Sequence, residues 1–105
     1  MEEYINEIRI YTDNTENFDF IGDICIDSNS YCEGIIHDKN NNEYFIFGTF
    51  EKFNCLELYL VVDNKIHQYI GKMTYLQYDG IYSIIQNDIT TPINKFSIKV
   101  KSLNV

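Results

Sequence analysis

The sequence predicts an all-β fold, an antiparallel up-and-down meander of about eight strands closing into a small barrel. Three observations carry this. Apolar residues alternate with polar ones at period two, and the i, i+3, i+4, i+7 spacing of a long amphipathic helix is absent. β-rich runs are separated by short clusters of Asn, Asp, Ser and Gly, so consecutive strands turn back on one another. The chain has 105 residues, 45% of them hydrophobic, which suits one core and one domain spanning 1–105. An open sheet of this size would leave two edges of unpaired backbone groups and a bare apolar face, and closure removes both.

The first strand is expected at 4–12, where Ile8 and Ile10 flank Arg9, although Glu2 to Glu7 also suits a short helical turn. The second, 17–27, carries Phe20, Ile24 and Ile26, and the third spans 31–38. A tight turn at Ser28-Asn29 would set Cys25 opposite Cys32 and Glu33 beside Ile24. The fourth, 43–52, follows the polar loop Lys39 to Asn42, and its Phe45 and Phe47 lie on the face opposite Tyr44 and Ile46. Both faces of that strand are apolar, so one is expected to meet something other than water. In the fifth, 55–62, Leu56, Leu58, Leu60 and Val62 share one face against Glu57, Tyr59 and Val61. Asp63-Asn64 suits a hairpin turn before the sixth strand, 66–74, which precedes a seventh at 79–86. Asn87 to Asn94, with the only proline, Pro92, reads as the longest loop. The last strand, 95–103, alternates Phe96, Ile98 and Val100 with Lys95, Lys99 and Lys101, which makes the lysines its solvent face. The expected inward set is Ile8, Ile10, Phe20, Ile24, Ile26, Leu56, Leu58, Leu60, Val62, Phe96, Ile98 and Val100. These residues are large enough to fill much of a small barrel.

A cadence of glycines runs through these strands. It reads Ile21-Gly22, Glu33-Gly34-Ile35-Ile36-His37-Asp38, Phe45-Ile46-Phe47-Gly48-Thr49-Phe50, Leu56-Glu57-Leu58-Tyr59, Tyr69-Ile70-Gly71 and Tyr78-Asp79-Gly80-Ile81-Tyr82-Ser83-Ile84. Over about two-thirds of the chain it resembles the small bacterial lipocalin-like and avidin-like meander barrels of calycin type. Glycine lets a coiled strand bend at a barrel corner while a neighbouring aromatic covers the gap. The resemblance implies the fold. The chain has no tryptophan, whereas ligand-binding members of those families commonly place tryptophans in the pocket, so no site residue is transferred.

The net charge is -8, and it is uneven. Residues 1–38 hold ten acids against Arg9 alone, a balance of -9, and the other 67 residues sum to +1. Phosphate backbones require clustered Lys and Arg, so direct nucleic-acid binding is disfavoured and a basic protein partner is favoured. No apolar run approaches the roughly 18 residues of a membrane span, and Met1 to Ile10 is acidic where a secretory signal would be basic, so a cytoplasmic protein without membrane contact is expected. Cys25, Cys32 and Cys55 lack metal-site spacing, His37 and His67 stand far apart, and no catalytic motif is present. No metal, cofactor or enzymatic activity is expected. Reduced cysteines serve as small packing residues, although Cys25 and Cys32 could cross-link under oxidation.

The sharpest candidate site is the row Asp19, Asp23 and Asp27, which shares a strand face if the second strand is regular. Glu33 and Asp38 extend the carboxylates, and Phe45 and Phe47 supply an apolar neighbour. The plainer reading is a solvated face that keeps the protein soluble. Tyr59, Tyr69, Tyr75, Tyr78 and Tyr82 are either an aromatic surface or cross-strand packing. Two functions fit. One is an interaction module that blocks a basic partner such as a nucleic-acid-binding protein or a toxin, as bacterial immunity proteins and phage anti-defence inhibitors, anti-CRISPR proteins included, do. The other is a lipocalin-like carrier of a small apolar molecule. A homo-oligomeric structural subunit is a third, weaker reading. The Asn, Ile, Tyr and Lys usage suggests a low-GC bacterium or its phage.

Overall fold

The computed structural model describes residues 2–13 and 15–101. Its strands are β1 (Glu3–Thr12), β2 (Phe20–Ile26), β3 (Tyr31–His37), β4 (Glu43–Glu51), β5 (Cys55–Val62), β6 (Lys65–Thr74), β7 (Gln77–Gln86) and β8 (Ile89–Val100). Each pairs antiparallel with the next, and β1 pairs with β8, so the sheet closes into a barrel in sequence order. Among the described residues, no helix is long and apolar enough to cross a membrane.

Alternation builds the interior. Leu56, Leu58 and Leu60 of β5 are buried, as are Ile8 and Ile10 of β1 and Phe96, Ile98 and Val100 of β8. Of the expected inward set, only Phe20 and Val62 are partly exposed, and both still pack against the core. Three further aromatics fill the middle: Phe50 and Tyr78 meet at 5.0 Å, and Tyr69 meets Phe96 at 5.2 Å, with the rings inclined edge to face. Tyr69 and Tyr78 are therefore core residues rather than surface ones. Burial pushes the hydroxyl pKa of both above the ordinary tyrosine value.

The glycine cadence has a steric cause. A Cβ on Gly34 would lie 2.0 Å from the Asp23 carbonyl oxygen, and one on Gly80 would lie 1.9 Å from that of Ile70. Backbone passes so close at these corners that no side chain fits.

Four expectations are corrected. Glu2 to Glu7 forms no helical turn: β1 starts at Glu3 and carries a register shift between Ile5 and Ile8, with Glu7 at φ 55°. The β2–β3 register differs by one residue, so Cys25 faces Glu33, Cys32 faces Ile26 and Gly34 faces Ile24. Its cause is a loop that runs through Ser30, left-handed at φ 68°, before Tyr31 closes onto Asp27. Asn87 to Asn94 is not a loop. Asn87 and Asp88, at φ 52° and 63°, make a two-residue turn, and β8 begins at Ile89. Pro92 is tolerated in it because the β7–β8 register shifts between Tyr82 and Ser83, leaving Ile93 as the extra residue. Finally, β2 starts at Phe20 and β7 at Gln77. Residues 102–103 of the expected last strand lie outside the described residues.

Candidate functional site

With the interior filled, chemistry is left to the outer wall. On β2, β3 and β4 the outward positions include Asp23 and Cys25, then Glu33, Ile35 and His37, then Glu43, Phe45 and Phe47. Register sets Ile35 opposite Phe45 and Glu33 opposite Phe47, while Phe47 faces Tyr59 on β5. Three rings stack along this line: Phe45 on Phe47 at 5.7 Å and Phe47 on Tyr59 at 5.7 Å. Ile35 and Phe45 are each 51% exposed, so the ladder faces solvent. A groove of about 570 Å³ runs beside it, between Tyr4, Asp23 and Cys25 on one bank and Glu33, Ile35 and Phe45 on the other.

Of the expected site residues, Asp23, Glu33 and Phe45 line that groove, and Phe47 adjoins it. The other aspartates do not form a continuous row with Asp23, because each sits where a strand ends. Asp27 accepts hydrogen bonds from the backbone N–H of Asn29 (2.8 Å) and Tyr31 (3.1 Å), shaping its own turn. Asp38 accepts from the N–H of Asn40 and Asn42, the Asn42 amide and the Tyr44 hydroxyl. These bonds, the backbone bond from Asn42 foremost, hold the Asp38 carboxyl below the usual aspartate pKa. Asp19 lies before β2 and accepts the Thr12 hydroxyl at 2.5 Å. Burial first and then the negative charge of Asp19 raise the pKa of the Tyr69 and Tyr82 hydroxyls.

Asp23 itself has a structural partner. One carboxylate oxygen takes the N–H of Glu7 at 2.9 Å and the other takes the Tyr4 hydroxyl at 2.8 Å, which fixes the irregular part of β1. Glu33 is different. It is exposed, and among the described residues no cation pairs with it.

The thiols are not activated. Burial pushes Cys32 up to about 12, desolvation and the Glu2 carboxylate raise Cys25, and the Glu51 carboxylate raises Cys55. All three stay protonated at neutral pH, away from the thiolate form a nucleophile needs. Among the described residues, no group of three or more His, Cys, Asp or Glu is placed to hold a metal ion. His67 stacks on Tyr82 at 6.2 Å, and His37 Nε2 lies 3.6 Å from Glu43.

Sequence reasoning missed how far the apolar wall extends. Val61, Ile70 and Ile81 are also exposed, and Ile70 pairs directly with Ile81. The available signal was the apolar outward parity of Tyr59 and Val61 against the buried leucines. The chain matches no family model, no curated protein and no solved structure.

Proposed function

We propose that this protein is an interaction module, and that its β2–β5 outer wall binds and blocks a basic protein. The observation that carries the reading is the solvent-facing ladder Phe45, Phe47 and Tyr59, edged by Glu33 and Glu57, on a barrel whose inside is occupied by its own side chains. An exposed aromatic patch supplies contact area, and surrounding carboxylates steer a positive surface toward it. The net charge of -8 adds a long-range attraction of the same sign. An inhibitor of the immunity or anti-defence kind needs no more chemistry than this.

A calycin-type kinship for the barrel belongs to the same reading. Eight strands, sequential order and closure support it. The carrier alternative has less support, because Tyr69, Tyr78, Phe50 and Phe96 occupy the space a guest would need.

Capture from a low-GC bacterial lysate tests the proposal. Immobilised protein is expected to retain a basic protein at low salt and release it as salt rises. Native mass spectrometry that finds a small apolar molecule inside the purified barrel, with no basic protein retained, would contradict it.

A further inference from the structure

We infer that the wall selects arginine over lysine: a guanidinium of the partner lies on the Phe45–Phe47 stack with the Glu33 carboxylate beside it. This rests on the interaction reading above and names the partner chemistry. The molecule's own aromatics provide the comparison. Arg9 lies 5.5 Å from the Phe18 ring centroid, Lys52 lies 5.3 Å from that of Phe53, and Lys99 lies 4.9 Å from that of Tyr11. Among the described residues, neither Phe45 nor Phe47 carries such a cation, although both rings are exposed. No outward position of β2 to β5 is a Lys or Arg. The ladder therefore offers exposed rings that carry no internal cation, with Phe45 at its end stacked on one ring only.

Charge complementarity favours arginine as the occupant. Glu33 is the direct cross-strand neighbour of Phe47, which puts their Cβ atoms about 4.5–5.5 Å apart. A flat guanidinium can lie on a ring and hydrogen-bond a carboxylate through its edge at the same time, whereas an ammonium is a strongly hydrated point charge. A purely apolar partner would strip water from Glu33 and Asp23 without replacing it. A second copy would bring the same carboxylates face to face.

The test is an NMR titration of the intact protein with hexa-arginine and hexa-lysine peptides at about 150 mM salt, where long-range attraction is screened. The arginine peptide is expected to bind about tenfold tighter, with shifts centred on Glu33, Ile35, Phe45 and Phe47. Phe47→Leu keeps an apolar side chain but removes the middle ring of the stack, and together with Glu33→Gln it is expected to abolish that preference. Unchanged melting temperatures would establish that both variants fold. Equal affinity for the two peptides would overturn arginine selection and leave the acidic module standing. So would failure of both peptides to bind while a basic protein is still captured from lysate. Concentration-dependent dimerisation that protects the same residues would overturn it by making a second copy the occupant.

Discussion

Asp23 illustrates how one carboxylate serves structure and surface at once. It accepts the Glu7 N–H where β1 loses register and the Tyr4 hydroxyl beside it, so it holds the first strand in the barrel while lining the groove. Replacing it by Ala is expected to lower stability by about 2 kcal/mol, because two bonds to a charged acceptor are lost. A urea titration measures this, and a change within experimental scatter would mean that strand pairing on either side holds the bulge without Asp23. Asp38 predicts a pH dependence. Its native carboxyl lies below the ordinary aspartate value of 3.8, so its contribution is fully present above that value and is lost as pH falls through the depressed native value. Urea midpoints of the native protein and Asp38→Asn should therefore differ at pH 7 and converge toward pH 2. A gap independent of pH would contradict the assignment. Cys32, buried and raised to about 12, should resist a thiol reagent at pH 8 until the barrel unfolds. Rapid labelling under native conditions would contradict that. The turn roles of Asp27 and Asp38 were legible in sequence, since each begins an Asp-x-Asn, a pattern in which the carboxylate bonds the backbone two residues on. Charge counting gives such residues to the surface field and passes over the local bond.

The turns explain which elements could be read in advance. β5 lies where alternation places it, because four aliphatics on one face leave no other register. β8 was legible only from Lys95 onward, since Thr90, Thr91 and Pro92 look like a loop until a bulge is admitted. The one-residue error between β2 and β3 has the same origin: a left-handed Ser30 lengthens the loop, and period-two side chains cannot report loop length. Left-handed non-glycine residues also mark positions for improvement. Asp88, at φ 63°, sits in a two-residue turn that glycine suits better, so Asp88→Gly is expected to add about 0.5–1 kcal/mol of stability, read as a higher melting temperature. A lower melting temperature would mean that the Asp88 side chain supplies a local contact that outweighs the backbone relief.

Across the whole molecule, the aromatic ladder and the lysine-bearing seam lie on opposite sides of the barrel. Strand order places β4 and β5 opposite the β8–β1 junction. That junction carries Arg9, Lys99 and Lys101, with Lys101 3.0 Å from Glu7, while the far wall carries the aromatic ladder with Glu33 and Glu57. Sequence counting located the negative half of the chain but not this arrangement, because pairing rather than chain position decides which wall a residue joins. Exposed rings beside carboxylates, on a cylinder filled by its own side chains, give the wall its proposed role.

The most direct test compares two surface variants as bait against the same lysate. Glu33→Gln with Phe47→Ala alters the wall, Lys99→Gln with Lys101→Gln alters the opposite seam, and thermal melts confirm that both are folded. The seam variant should retain the basic protein that the native chain retains, and the wall variant should lose it. Undiminished capture by the wall variant would contradict the assignment.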